Sequence, residues 1–561
     1  MALSATTVWE VQSGGSDLNG GAFYPVAGGS DYSQVGATPH VAFDGTTIYW
    51  TAAGAGLTIK IYGYTVATTD KGNSLRVPAP GDANQTAGVY CIASVVTGAE
   101  GTQSWTLVGA GNVSSGAVTA GTGRMGGSLA TPGILPAGMV SGNTAWIKAG
   151  TYTFTTSTPG SGGPVVFGDG AFVLRGYTAT RGDGGMATID CGAQTSVLAL
   201  TMPSVNNGQI NLAENLLLDG KSGSGNNGFL GHTLHTHVVN CRATGFNAAA
   251  TNYGFKKANC YKCKADACGL GFAEVTSSWC TATGCTDGFS DGTQRDCISY
   301  ANSRDGYKTP YPAINCTAYG NAGIGFSLTA NNNTVMHCNC LSVGNTSYGY
   351  SVSTYHGLKN CAHYGNSAGI NGTPGLEIGT ISLTGNPFIN AAVANFRLNM
   401  TAGAGAACRS AGVGFYDLTG NPSVGGAFDS PVWPAAGEVW ENAACTEFGP
   451  TGVDYTPTRK DCLVGKAVTS SGNYGDPDDW KVGTLIVAAQ TDHLYKAGGA
   501  YYGITGSLEN GTYYPPNDGD GVSDVAQVIV GGKFGVANAE EGTAAGGGGV
   551  SVRYGGALRG A

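Results

Sequence analysis

Charged residues are scarce in this chain: 27 basic and 36 acidic side chains make up 11% of its 561 residues, against about 25% in an average protein. The formal net charge is -9. This disfavours a nucleic-acid binder, because such proteins carry a basic surplus. No run of 18 apolar residues occurs, so the sequence predicts no membrane insertion. Residues 1–10 contain neither the basic nor the apolar segment of a secretory signal, and we therefore expect synthesis in the cytoplasm.

Glycine is the residue in excess, with 95 copies, about 17% of the chain against roughly 7% on average. Glycine at this level excludes helix bundles, because each one in a helix interior costs about 1 kcal/mol relative to alanine. The absence of a strict triplet period excludes collagen. Hydrophobic residues make up 42% of the chain, which is enough to form large cores and excludes a disordered protein. The composition predicts an all-β protein with many tight turns.

The middle of the chain contains an internal repeat marked by cysteine. Four copies share a longer pattern: CRATG at 241–245, CTATG at 280–284, CTAYG at 316–320 and CAHYG at 361–365. A glycine followed by an aromatic or aliphatic residue comes later in each copy, as at 271–272 and 288–289. A period of about twenty residues is typical of one coil of a parallel β-solenoid. The marker cysteines are Cys241, Cys260, Cys280, Cys297, Cys316, Cys338 and Cys361.

Equivalent positions of such coils lie directly above one another, about 4.8 Å apart. We therefore expect these seven cysteines to form one internal column and the Phe and Tyr residues another. Asparagine fits the corner before the cysteine, because it tolerates a left-handed backbone and hydrogen-bonds along a ladder. Zinc is the alternative, suggested by the spacing of Cys260, Cys263 and Cys268 and of Cys338 and Cys340. It is less favoured, because zinc needs four ligands in one place. The corner asparagines are Asn240, Asn259, Asn315 and Asn360.

The sequence divides into five regions by pattern. We expect an N-terminal attachment module at 1–50, a β-rich connecting region at 51–139 and the parallel β-helix at 140–400. A cap or linker at 401–435 and a C-terminal β domain at 436–561 follow. The last domain is predicted to cap the solenoid or to drive oligomerisation, because the final coil of a solenoid has open edges.

The N-terminal segment carries a family resemblance. Residues 8–23, VWEVQSGGSDLNGGAF, and 28–34, GGSDYSQ, resemble the start of right-handed β-helix virion proteins of tailed bacteriophages. The resemblance implies a pectate-lyase-like fold in a tail fibre, tailspike or decoration protein, often a homotrimer, assembled into the virion in the host cytoplasm. The implied partners are other virion proteins, through the N-terminal module, and a host-surface glycan or receptor. Further segments with this resemblance are 142–154, 176–185, 386–390 and 395–399.

A tailspike depolymerase is the alternative function, since it would need two carboxylates on one face. Asp287 and Asp305 each precede a glycine and an aromatic residue, so they occupy equivalent positions in adjacent coils. Their predicted separation is about one strand spacing, close to the roughly 5–5.5 Å of a retaining glycosidase. A lyase would instead pair such acids with calcium and a basic residue, for which the candidates are Arg295, Arg304 and Lys308. The structural alternative is that Asp-Gly is a turn dipeptide. A bacterial β-helix adhesin is a third hypothesis.

Two weaker motifs suggest ligands. Residues 238–365 carry nine basic against six acidic side chains, and a cluster of lysines there is a candidate site for an acidic glycan or simply a solvated face. Asp518, Asp520 and Asp524 resemble a calcium loop, although Pro516 and Gln527 depart from the EF-hand pattern. No other cofactor is expected. The lysines are Lys256, Lys257, Lys262 and Lys264.

Overall fold

The computed structural model describes residues 6–52, 57–78, 86–109, 122–203, 210–223, 225–232, 235–308, 311–328, 335–399, 401–405 and 407–408, with isolated strands beyond residue 466. The regular secondary structure of these residues is almost entirely β. The chain divides into two units. The first contains Met1–Gln294, Ser299–Tyr311 and Gly320–Thr329, and the second contains Arg295–Ile298, Pro312–Tyr319 and Ala330–Ala561.

Three sheets form most of the first unit, and the chain visits them in rotation, as in a parallel β-helix. Their strands are parallel except for Ala22–Phe23, which pairs antiparallel at the edge of sheet 1. Sheet 1 contains Ala22–Phe23, Val8–Val11, Thr144–Lys148, Val173–Tyr177, Asn211–Glu214, Thr236–Val239, Asn259–Tyr261 and Thr276–Ser278. Sheet 2 contains Thr151–Thr153, Ala187–Asp190, Leu216–Asp219, Arg242–Thr244, Lys264–Asp266 and Thr281–Thr283. Sheet 3 contains Val165–Val166, Leu198–Thr201, Asn227–Leu230, Tyr253–Lys256, Leu270–Ala273, Asp287–Ser290, Tyr307–Lys308 and Phe326–Ser327.

An antiparallel sheet lies before most of these coils in the chain, and its strands fall on both sides of the predicted boundary at residue 50. Strand Val8–Val11 pairs in parallel with Thr144–Lys148 and therefore belongs to sheet 1. The antiparallel sheet spans the predicted boundary and buries Trp50, Trp105 and Tyr90 in its own core. Its strands, in order, are Val41–Asp44, Thr122–Met125, Ser74–Val77, Gly88–Val96, Ser104–Val108, Thr58–Tyr62 and Tyr49–Ala52.

Helices are short in the described residues, which is the expected consequence of the glycine content. They are the 3-10 turns Thr68–Asp70, Pro132–Ile134 and Ala391–Val393 and the single α-turn Leu135–Gly138. None of the helices in the described part of the chain is long and apolar enough to span a membrane.

A column of aromatic rings fills the interior beside sheet 3. Phe255, Phe272, Phe289, Tyr307 and Phe326 are all fully buried. Consecutive centroids lie 5.2, 4.7, 4.9 and 4.6 Å apart, with interplanar angles between 4° and 14°. This is the ring column that the glycine-aromatic pairs predict.

In the cysteine column of the first unit, one predicted member, Cys260, is wrong. Cys241 is followed by Cys263 and Cys280, since Lys264 N–H donates to Cys241 O and Thr281 N–H donates to Cys263 O, both at 2.9 Å. Cys260 is instead registered with Val238 within sheet 1. The reason is that strand Asn259–Tyr261 is still extended at Cys260. The corner therefore comes two residues later, at Lys262, and the column position three residues later, at Cys263. Burial raises the pKa of Cys241, so its thiol stays protonated and packs as a small hydrophobe.

In four consecutive coils, the corner between sheets 1 and 2 is one residue with a left-handed backbone. The corner residues are Asn215, Asn240, Lys262 and Trp279, with φ between 49° and 61°. Asn240 Nδ2 donates to Asn215 Oδ1 at 2.7 Å, forming the expected amide ladder. Asn259 is not a corner residue, because it is the first residue of a strand.

The second unit repeats this plan. Sheet 4 contains Ala313–Ile314, Val335–Cys338, His356–Lys359 and Leu376–Ile378; sheet 5 contains Thr317–Tyr319, Leu341–Val343, Ala362–Tyr364 and Ile381–Ser382; sheet 6 contains Tyr348–Ser351 and Ala368–Asn371. Strands Gln294–Arg295 and Ile298–Tyr300 contain the boundary between the units. A hairpin of Phe388–Asn390 and Asn395–Leu398 follows. Beyond residue 408 the described strands are Ala467–Val468, Val487–Ala488, Asp492–Ala497, Ala500–Thr505, Ser507–Glu509, Thr512–Tyr514, Gln527–Val530 and Lys533–Phe534.

In the cysteine column of the second unit, a second predicted member, Cys338, is wrong. Cys297, Cys316, Cys340 and Cys361 follow one another, because the residue after each of the last three donates its N–H to the carbonyl of the preceding cysteine. Cys338 pairs with Lys359 and is half-exposed. It takes an outward position, since side chains alternate along the strand and His337 beside it is buried.

The corner between sheets 4 and 5 carries the amide ladder of the second unit. Asp296, Asn315, Asn339 and Asn360 all have φ between 51° and 54°. Asn315 Nδ2 donates to Asp296 Oδ1 at 2.9 Å, and Asn339 Nδ2 donates to Asn315 Oδ1 at 3.1 Å. Corner asparagines thus satisfy one another from coil to coil.

Replacing Ala267 with glycine should stabilise the protein by roughly 1 kcal/mol. Ala267 has φ 49° at the corner after sheet 2, where neighbouring coils carry Gly245 and Gly284. The left-handed strain of about 1–2 kcal/mol is relieved, and the extra entropy of the unfolded chain offsets about 0.4–1 kcal/mol of it. Ala265→Gly, two residues away in a regular strand, should destabilise instead. Urea denaturation midpoints test the opposite signs, and a loss of stability in both variants would contradict the corner geometry.

Candidate functional site

The two predicted catalytic acids lie one coil apart, and the first is engaged in an ion pair. Asp287 is 1% exposed. Arg304 Nε donates to its Oδ1 at 2.6 Å, and Arg304 Nη2 forms a short ion pair with its Oδ2. The guanidinium therefore covers both carboxylate oxygens in the bidentate geometry that arginine favours.

Asp305 occupies the equivalent position in the next coil. Its N–H donates to Asp287 Oδ1 at 3.3 Å. Its own Oδ1 accepts from Ile324 N–H at 2.8 Å. Burial raises the pKa of Asp305, and the charge of Asp287 adds to that rise. The two carboxylates thus repeat one role, in which each accepts a backbone N–H from the following coil.

Arg295, one of the candidate lyase bases, forms an ion pair with Asp296. Its Nε lies 3.3 Å from Asp296 Oδ2, and Asp296 is buried at a corner. Burial raises the pKa of Asp296 to about 6, and Arg295 acts against that rise. Arg295 thus serves as the counter-ion of a ladder residue.

The four candidate glycan-binding lysines lie in three environments. Lys256 Nζ and Lys257 Nζ lie 3.2 and 3.8 Å from the two carboxylate oxygens of Glu274. They neutralise that glutamate at the end of sheet 3. Lys264 lies in sheet 2, where burial lowers its pKa.

Lys262 lies in the third environment, beside two aromatic rings that sequence reasoning missed. Its ammonium lies 5.3 Å from the ring centroid of Tyr261 and 5.7 Å from that of Trp279. The two ring centroids are 6.3 Å apart and tilted by 48°. Tyr261 is 41% exposed, and Trp279 is half-buried. We call Tyr261, Lys262 and Trp279 the aromatic corner.

The structure describes fourteen cysteines, and all of them are free thiols. Among the described residues, no group of three or more His, Cys, Asp or Glu side chains is arranged to hold a metal ion. Asp518, Asp520 and Asp524, the candidate calcium ligands, lie outside the described residues.

No protein-family model and no curated protein matches the chain. Similar solved structures include pectate lyase Pel9A, 14% identical with a TM-score of 0.25, covering 48% of this chain and 83% of that one. A GH87 α-1,3-glucanase catalytic unit from Streptomyces thermodiastaticus is 14% identical with a TM-score of 0.22, covering 61% and 87%. A GH87 catalytic domain in complex with tetrasaccharides is 12% identical with a TM-score of 0.18, covering 61% and 88%. These low TM-scores support no argument about activity, and the fold assignment depends on the strand registers.

Proposed function

We propose that the protein is a non-enzymatic structural component of a bacteriophage virion, a fibre, spike or decoration protein that adheres to the host surface. The engagement of Asp287 supports the non-enzymatic part of this proposal. The carboxylate is buried and Arg304 contacts both of its oxygens, so neither oxygen is poised to attack a sugar. Its role is then to join coils.

The resemblance of residues 8–34 to phage virion proteins supports the particle assignment. We further propose a right-handed helix with about twenty residues per coil, a homotrimeric assembly, and attachment to other virion proteins through the N-terminal region. A light-scattering mass equal to one chain would contradict the trimer.

Purified phage particles test the assignment. Peptides of this chain should remain with the particles through a density gradient at a constant ratio to the capsid protein, and antibodies against the chain should label the particles. Recovery of the chain only in the soluble fraction of the lysate would contradict the proposal.

A depolymerase is the second candidate, and the raised pKa of Asp305 beside Asp287 favours it. Two neighbouring carboxyl groups in different environments are the pairing that glycoside hydrolysis uses. Incubation with host capsule or lipopolysaccharide should then release new reducing ends or unsaturated products. That release should disappear in Asp287→Asn and Asp305→Asn. No release from any host glycan would remove this candidate.

A further inference from the structure

We propose that the aromatic corner is a binding site for an acidic glycan, such as a uronic-acid polysaccharide. The inference rests on the proposed function only for the source of the glycan, the host surface. The site itself is argued from three side chains of the first unit, Tyr261, Lys262 and Trp279.

The first argument is the cost of placing these residues at the corner. Asn215 and Asn240 hold the two preceding corners and are joined by an amide hydrogen bond of 2.7 Å. Lys262 and Trp279 have the same left-handed backbone, with φ of 56° and 61°, but neither can extend an amide ladder. For a bulky residue this backbone is an outlier that costs about 1–2 kcal/mol. Two consecutive coils therefore give up the residue that would extend the amide ladder.

The second argument is the shape of the surface. Tyr261 is registered in sheet 1 with Val239 and Ser278 in the flanking strands. Both neighbours are uncharged and shorter than tyrosine, so the phenol ring stands above the sheet and is 41% exposed. Trp279 presents a second ring 6.3 Å away. Ring faces carry negative charge density that attracts the C–H groups of an apolar ligand face, and a pyranose ring has such a face.

The third argument is charge. The Lys262 ammonium lies within 6 Å of both ring centroids, at the range of cation–π contacts. These contacts hold the ammonium over the two rings, so a ligand that packs on this surface meets a cation. A uronic acid packed on the aromatic rings would place its C6 carboxylate within reach of this cation, whereas a neutral sugar would gain no ion pair. The arrangement therefore selects acidic over neutral glycans.

Isothermal titration calorimetry of the full chain with polygalacturonate, alginate and hyaluronate, with dextran as the neutral comparison, tests the site. We expect at least one acidic polymer to bind at least tenfold more tightly than dextran. Trp279→Asn and Lys262→Asn should each weaken that binding at least tenfold. Both variants restore the ladder residue of the corner, so their thermal unfolding temperatures should equal or exceed that of the wild type.

Tyr355→Ser provides the matched control, because Tyr355 is an exposed tyrosine of the second unit, 51% exposed. Its binding should equal that of the wild type. Equal affinity of the wild type for dextran and for all three acidic polymers would overturn the proposal, as would unchanged binding by Trp279→Asn. Neither result bears on whether the chain is found on particles, so a failure here is distinct from a failure of the proposed function.

Discussion

Replacing Phe289 with alanine should lower the free energy of unfolding by about 3–5 kcal/mol. Phe289 is fully buried, and its ring stacks on Phe272 at 4.7 Å and on Tyr307 at 4.9 Å. The substitution removes both stacking contacts and leaves a cavity that the hydrogen-bonded strands above and below hold open. The loss should therefore lie in the upper part of the range for a large-to-small core change.

Urea denaturation followed by far-UV circular dichroism measures this effect as a shift of the midpoint. Tyr355→Ala is the matched control, since its ring is 51% exposed and its removal should change stability by less than about 0.5 kcal/mol. Equal midpoints for Phe289→Ala and the wild type would contradict the ring column.

Replacing Asp296 with asparagine should stabilise the protein at neutral pH by up to about 3 kcal/mol, since each pKa unit corresponds to 1.36 kcal/mol. Burial raises the pKa of Asp296 from 3.8 to about 6, so the folded state binds its proton more tightly than the unfolded state. The raised pKa contributes to the stability of the folded state. This contribution is fully present below about pH 4, where the carboxyl is protonated in both states, and is lost as the pH rises through 6. Asparagine is neutral at every pH and matches Asn315, Asn339 and Asn360 at the other corners.

Denaturation midpoints measured between pH 4 and pH 8 test this prediction. The wild type should lose stability relative to Asp296→Asn across that interval, and the difference should be largest at pH 8. Asp291→Asn is the control, because Asp291 is an exposed corner residue and its replacement should have little effect. A constant difference between Asp296→Asn and the wild type at all these pH values would contradict a buried corner carboxyl with a raised pKa.

The repeat could be predicted from the sequence because solenoid coils place the same residue type at the same position. The glycine-aromatic pairs therefore gave the ring column directly. Cysteine spacing was less informative, because Cys260 and Cys263 both fit a period of about twenty. The choice between them depends on where strand Asn259–Tyr261 ends, and the same ambiguity applies to Cys338 and Cys340.

Contacts between distant segments were beyond sequence reasoning. The pairing of Val8–Val11 with Thr144–Lys148 spans the whole antiparallel sheet, and no local pattern indicates it. The ion pair of Arg304 with Asp287 depends on side-chain geometry across coils. The aromatic corner did leave a signal, since Lys262 and Trp279 precede column cysteines at the position that asparagine takes before Cys241, Cys316 and Cys361.

The register of adjacent coils is the claim on which the columns, the ladder and the aromatic corner all depend, and cysteine cross-linking tests it most directly. Asn259 and Thr276 are register partners on the outer face of sheet 1, and adjacent strands lie about 4.8 Å apart, within disulfide range. Asn259→Cys combined with Thr276→Cys should form a disulfide under mild oxidation, identified by peptide mass spectrometry. Asn259→Cys combined with Ser278→Cys, two positions out of register and about 8 Å apart, should not. Cross-linking of the second pair in place of the first would contradict the account.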